Sequence, residues 1–446
     1  MANFNKNTQT FGPHGHDKTI FEVPMIATKD GQVVTHENPF PVTMSASATS
    51  TGSDAFGRTR TSNPLTLFES SHRYVDNDKW HESTSGTASS AHNADEGLID
   101  LTIDTASGDE IIRESKRVMA YQPGKSLLIM TTFVFAPAQE NLRQRVGYFG
   151  TENGIFLEQT DSTLSIVKRS SISGSVVDTQ IAQDSWSYDS LDGTGPSGET
   201  LDISKAQIFW MDLEWLGVGS VRSGFVIDGK FVVAHVFHHA NEVTGTYMTT
   251  ASLPLRQELT NTGITVSAST AKQICSTVIS EGGYQLSGEQ SAINTPITAA
   301  KALADKGVYY PVAAIRLKAS PDRLDAIVIL SNISLIGVGN GINFHWRLRQ
   351  GGTVTTASWT SAGTDSSVEY TLIGTATSGG HVVFCGFFNS SNQSTPTITI
   401  PKADLFKFQL ERNSFTGTGE PLVLEVTAAT DSEQVFGGMD WEEISR

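Results

Sequence analysis

Cysteine is nearly absent from this chain. Its 446 residues include two, Cys275 and Cys385, with no CxxC spacing near either. That excludes a zinc ribbon and a redox pair and leaves two free thiols, which are expected to be buried. Charge is scarce as well: Asp, Glu, Lys and Arg make up 17% of the residues, against roughly 25% in ordinary soluble domains. Ser and Thr fill the gap, so the expected surface is polar but uncharged. The 31 basic residues are outnumbered by 47 acidic ones, for a net charge of −16. A chain of that sign repels phosphate at long range, so nucleic acid is not an expected partner. Uncharged apolar runs of about 18 residues are missing, and the opening MANFNKNTQTFGPHGHDK lacks an apolar core. Neither membrane insertion nor export by its own signals is therefore expected. Heptads are missing too, which excludes a coiled-coil rod; a fibre built from this chain would be a β-structure.

What is present points to β-sandwiches. Hydrophobic residues make 38% of the chain and there are 40 glycines, enough for globular cores, and the length suits two or three domains. Residues 1–65 have little apolar periodicity and include the low-complexity run Thr43 to Ser53. Alone they cannot bury enough surface to offset their conformational entropy, so they read as an extended docking arm. Residues 66–263 alternate apolar and polar in short runs bounded by Gly, Asn, Asp and Ser, as antiparallel sandwich strands do. One such run is Gln207 to Trp215, with Trp210, Asp212 and Glu214 on one face and Met211, Leu213 and Trp215 on the other. Residues 264–446 read as a second β-sandwich. It is interrupted by one short helix, with Thr295 as N-cap, Pro296 at the first position, Thr298 to Lys306 as body and Gly307 as stop.

The stretch Ala55 to Tyr74, AFGRTRTSNPLTLFESSHRY, resembles a motif of tailed-bacteriophage virion structural proteins, usually AFGRxRxSxPxTLFD; Glu69 stands where Asp is common. Tyr121-Gln-Pro-Gly-Lys125, Lys168 to Ser175, Trp215 to Phe225, Leu253-Pro-Leu-Arg256 and Cys275 to Tyr284 are similar to the same family in the same order. The resemblance implies a non-enzymatic virion component with an N-terminal arm and a lectin-like, concanavalin-like jelly roll. Its expected place is the tail, fibre, baseplate or neck, with a capsid-surface fibre or decoration as one alternative. A carbohydrate-binding or glycan-degrading receptor protein is the other. Other virion proteins are the expected partners, homo-oligomers (trimers foremost) the expected assembly, and no cofactor is implied.

Candidate residues follow. In the arm motif, Arg58 and Arg60 alternate with threonines, so in an extended segment both guanidiniums point one way and suit carboxylates of a neighbouring subunit. With Phe56, Pro64, Leu67 and Phe68 they form the candidate assembly interface. Lectin-like jelly rolls include retaining glycosidases whose strand reads Glu-x-Asp-x-Glu, with two carboxyls about 5–5.5 Å apart. Here Trp210 occupies the first Glu position, which breaks the catalytic pair. Trp210, Asp212 and Glu214 then read as a sugar-facing surface for a host glycan. His235, His238 and His239 do not close a tetrahedral metal site on one strand. His14 and His16 share a side and could ligate an ion only around a threefold axis, and Asp189 to Glu199 lacks EF-hand spacing. No metal site is assigned.

Overall fold

In a computed structural model of the chain, the residues described are 63–391, 397–399 and 406–445. They are almost entirely strand and turn, and every strand pairing is antiparallel. The first sandwich places an eight-stranded sheet over a seven-stranded one. The former runs Lys230–Phe237, Val221–Ile227, Gln207–Leu213, Leu127–Val134, Ser269–Ser280, Leu98–Ile103, Ser89–Asn93, with Leu65–Ser71 on the far half of Ser269–Ser280. The latter runs Val177–Ala182, Thr163–Ser170, Gly154–Thr160, Leu142–Phe149, Leu255–Asn261, Glu110–Ser115, Trp80–Ser85. The chain crosses between sheets from Leu98–Ile103 to Glu110–Ser115, then to Leu127–Val134 and Leu142–Phe149, the nested connectivity of a jelly roll. Period-two alternation delivers Leu127, Ile129 and Phe133 to the interior together with Val146, Tyr148, Ile155, Leu157, Phe209, Met211 and Phe225.

The second sandwich pairs a six-stranded sheet with a five-stranded one, the latter centred on Ile327–Gly337 and Glu433–Ser445. Its core is a large cluster containing Ile329, Leu335, Phe344, Trp346, Leu424 and Trp441, with a small one of Ala314, Val354 and Val423 beside it. Val118 and Ala120, which belong to the first sandwich's chain, are part of the large one. The two sandwiches therefore share a hydrophobic boundary as well as a polar one.

Three sequence-based expectations need correction. Ser269–Ser280 hydrogen-bonds to Leu127–Val134 and Leu98–Ile103, so the first sandwich continues past 263 and the division falls within 281–288. The helix expected over Thr298–Lys306 is not formed. Ala299 N–H closes a turn on the Pro296 carbonyl, and Lys301–Leu303 pairs instead with Glu433–Val435, which puts Leu303 fully in the core. Burial at a sheet edge outweighs the helix propensity of an alanine-rich segment. The two cysteines are free but lie at exposed rather than buried positions.

Candidate functional site: an ionic seam and the cleft beside it

The outer face of the seven-stranded sheet carries charge where a sandwich usually carries neutral polar groups. Alternation along Leu142–Phe149, Gly154–Thr160, Thr163–Ser170, Leu255–Asn261 and Glu110–Ser115 turns Arg145, Glu158, Arg169, Arg256, Glu258 and Glu114 to this face. Arg169 grips Asp178 through two 2.8 Å bonds, and Arg145 donates to Glu158 at 2.5 Å and to Glu258 at 3.3 Å. Arg256 bridges Glu258 at 2.6 Å and Glu114 at 2.9 Å. The chain of ion pairs then leaves the first sandwich: Arg412 of the second donates to Glu114 at 2.6 Å and to Asp325 at 2.8 Å. Phe149 and Phe156 lie beneath this lattice, with the guanidiniums of Arg145, Arg169 and Arg256 within 5.1–5.8 Å of their ring centres.

Most of these groups are buried, so their charges are retained only because each meets an opposite one. Burial works to raise the Glu258 carboxyl's pKa. The guanidiniums of Arg256, Arg145 and Arg143 outweigh it and hold the group below the usual carboxylate range. Beside Arg412 the seam continues in neutral and mixed bonds. Arg117 pairs with Glu411 at 2.8 Å and donates to the carbonyls of Phe406 and Lys407, while Gln409 donates to the Val118 carbonyl at 2.7 Å.

At one end of this seam a polar cleft of about 290 Å³ opens between the sandwiches. Asp78 and Lys116 line it from the first; Gln350, Gly351, Gly352, Gly380, His381 and Glu420 line it from the second. Lys116 pairs with Asp78 at 2.7 Å, His381 lies 3.6 Å from the other Asp78 oxygen, and Glu420 pairs with His81 at 2.7 Å. Burial pushes the Glu420 carboxyl up, but the hydrogen bond and charge of His81 and the charge of Lys116 prevail and keep it below its ordinary value. Gly351 and Gly380 have φ of 73° and 63°, and a Cβ on Gly380 would come within 2.5 Å of two carbonyl oxygens. Only glycine lets the two hairpin turns approach this closely. Gln350 is 2% exposed, and its side-chain nitrogen has no hydrogen-bond partner.

The residues singled out from sequence are not gathered here. Phe56, Arg58 and Arg60 lie outside the described residues. Pro64 is exposed, whereas Phe68 and the half-buried Leu67 pack into the first core, Phe68 edge-on to Trp80 at 5.8 Å; these two are anchors, not an interface. Trp210 is 3% exposed, its indole set against Phe231 and donating to the Phe225 carbonyl, so it offers no face to a sugar ring. Asp212 is buried and held by Ser126 and Arg222, while the exposed Glu214 lies just past the strand end. The sugar-facing surface read from this strand is thus not formed. Among the described residues no group of three or more His, Cys, Asp or Glu gathers to hold a metal. Asp189 spends its carboxylate on the backbone N–H groups of Leu191 and Ser197, closing a turn.

No protein-family model and no curated protein matches the chain. Solved structures similar to it include a Bacteroides ovatus mixed-linkage glucan GH16 protein with its G4G4G3G product, at 11% identity and TM-score 0.33, covering 48% of this chain and 99% of that one. Peanut lectin is similar at 10% identity and TM-score 0.27, over 49% of this chain and 98% of its own. The CBM2 module of the evolved Dit of Lactobacillus casei BL23 phage J-1 is similar at 6% identity and TM-score 0.31, over 51% and 100%.

Proposed function

We infer that the chain is a non-enzymatic structural subunit of a tailed-phage particle, seated in its tail, fibre, baseplate or neck through residues 1–65. The observation that carries this reading is how the end of the arm motif is fastened. Leu65–Ser71 pairs along its length with Ser269–Ser280, and Phe68 is buried against Trp80. Ser70 Oγ accepts from Trp80 Nε1 at 2.9 Å and from Asn77 at 2.6 Å, and Lys79 donates to the Glu69 carbonyl at 2.6 Å. A load on the preceding residues is thereby passed as shear into a sheet that runs through the sandwich, which suits a tether. The seam supports the same reading, because it makes the two sandwiches one body that the arm can present.

Catalysis has no support in the strand that resembles a glycosidase: Trp210 stands at the nucleophile position and Asp212 is neutralised by Arg222. The test is Arg58→Glu with Arg60→Glu. Circular dichroism of the purified variant is expected to match the native chain, while particles assembled with it lose the protein. Normal incorporation of the double variant would contradict the reading.

A further inference from the structure

We propose that the strand His381–Asn389 pairs edge to edge with the same strand of a second copy of this chain. It is the outer strand of the six-stranded sheet: Asn343–Gln350 lies along one side of it, and among the described residues no strand lies along the other. The backbone N–H and C=O groups on that side are a template for a further strand. The pairing with Asn343–Gln350 is irregular only at Val383, so 384–389 is a regular run. The sequence HVVFCGFFN contains no Asp, Glu, Lys, Arg or Pro, the residues that usually blunt an edge. The other described edges of the sandwich sheets are guarded. Leu65–Ser71, Trp80–Ser85, Val177–Ala182 and Glu289–Asn294 carry Glu69, Glu82, Asp178 and Glu289. Ser89–Asn93 is polar, and Lys230–Phe237 begins with a lysine and gives its Ala234 carbonyl to the N–H groups of Tyr188 and Asp189. Lys301–Leu303, Thr360–Ser361 and Thr397–Thr399 have three residues or fewer.

Charge and symmetry select the occupant. Copies of a chain with net charge −16 repel one another wherever their carboxylates face, and this strand brings none to the contact. Alternation turns Phe384 and Phe388 inward onto Trp346 and Phe344, and turns Cys385 and Phe387 to the outer face of the sheet. Both are exposed, Phe387 to 80%. One edge paired symmetrically with itself runs antiparallel about a two-fold axis, which keeps the outer faces of the two sheets on the same side. Cys385 and Phe387 then meet the same two residues of the second copy across the strands, and an aromatic ring that stands in water gains cross-strand neighbours. Each copy has one such edge, so the pairing uses both and the assembly closes at two, not at the three that the resemblance implies.

The experiment is sedimentation equilibrium of the full chain, which is expected to show a dimer. Phe387→Lys puts like charges across the axis and is expected to weaken dimerisation at least tenfold while the circular dichroism spectrum stays unchanged, since the side chain is exposed. Cys385→Glu, at the neighbouring exposed position, is expected to do the same and decides the matter if the lysine variant does not fold. In a Cys275→Ser chain Cys385 is the one remaining cysteine, and a flexible bis-maleimide is expected to join two copies through it. A monomer at every concentration overturns the proposal, as does a dimer or trimer that both charged variants leave unchanged. An assembly that the variants weaken but that gives no Cys385–Cys385 link overturns it too, because the edge would then be filled by another segment, such as residues 1–62 of a neighbouring copy.

Discussion

The second sandwich concentrates its burial in one large apolar cluster with a three-residue satellite, whereas the first divides its apolar residues among three and spreads a lattice of ion pairs over an outer face. Even the first sandwich's interior is polar in places: Arg113, 2% exposed, donates to Gln273, Glu82 and Asp76. The apolar part of a core tolerates changes of pH and salt, because nothing in it titrates, although the second core also meets a carboxylate where Trp441 Nε1 donates to the buried Glu443. A buried lattice gives a defined register to whatever meets it, but depends on every member keeping its charge. That difference accounts for the way the sandwiches join. Arg412 enters as one more rung of the first sandwich's ladder, and Val118 and Ala120 enter as two more members of the second's core.

The sharpest way to break the contrast is to damage each side in its own terms. Trp441→Ala removes the largest fully buried side chain of the second core and should cost about 3–5 kcal/mol. Urea unfolding followed by tryptophan fluorescence and circular dichroism should show the second sandwich melting early and the first little changed. Arg412→Ala leaves Glu114, 1% exposed, without its cross-sandwich partner while Arg256 remains. About 3 kcal/mol is expected, together with splitting of one unfolding transition into two, visible by calorimetry.

Acid sharpens the comparison further. His72 is fully buried, and its pKa is lowered from 6.5 to about 4, by burial first and the Arg113 charge second, with His92 adding and Asp76 opposing. Its folded value lies below its unfolded one, so the neutral ring's contribution is complete above pH 6.5 and is lost as pH falls toward 4. The loss amounts to about 3 kcal/mol. Glu258 and Glu420, depressed by their cationic neighbours, lose their contributions in turn as pH falls through the carboxylate range. Thermal melts from pH 7 to 4 should therefore fall in temperature, and His72→Gln should flatten that dependence above the carboxylate range. The smallest effect is expected at Asp212→Asn, about 1 kcal/mol or less, because Arg222 is 56% exposed and its pairing is screened.

Much of the fold was legible in local pattern. Alternation marked strands such as the run Gln207 to Trp215, which forms over Gln207–Leu213, and short runs bounded by Gly, Asn, Asp and Ser marked a sandwich. The failures came where a distant partner decides. Lys301–Leu303 looks helical until Glu433–Ser445 is beside it. That long strand is itself interrupted in sequence by Gly437 and Gly438, a pair that favours turns. In the sheet a Cβ on Gly437 would stand 2.7 Å from Val312 Cγ1, so glycine is there for close packing. The ladder left a trace in the Arg-x-Glu spacing of Arg256 and Glu258, but nothing local says that Arg412 completes it. The cleft was illegible: its double glycines look like ordinary hairpin turns, and its carboxylates, Asp78 and Glu420, come from opposite ends of the chain.

Cross-linking mass spectrometry on intact particles, following Lys6, Lys18 and Lys29, tests the central claim most directly. The account predicts links from these lysines to tail, baseplate or neck subunits, while the second sandwich links only to this same protein or to nothing. Links from them to the major capsid protein alone, or absence of the chain from purified particles, would contradict it.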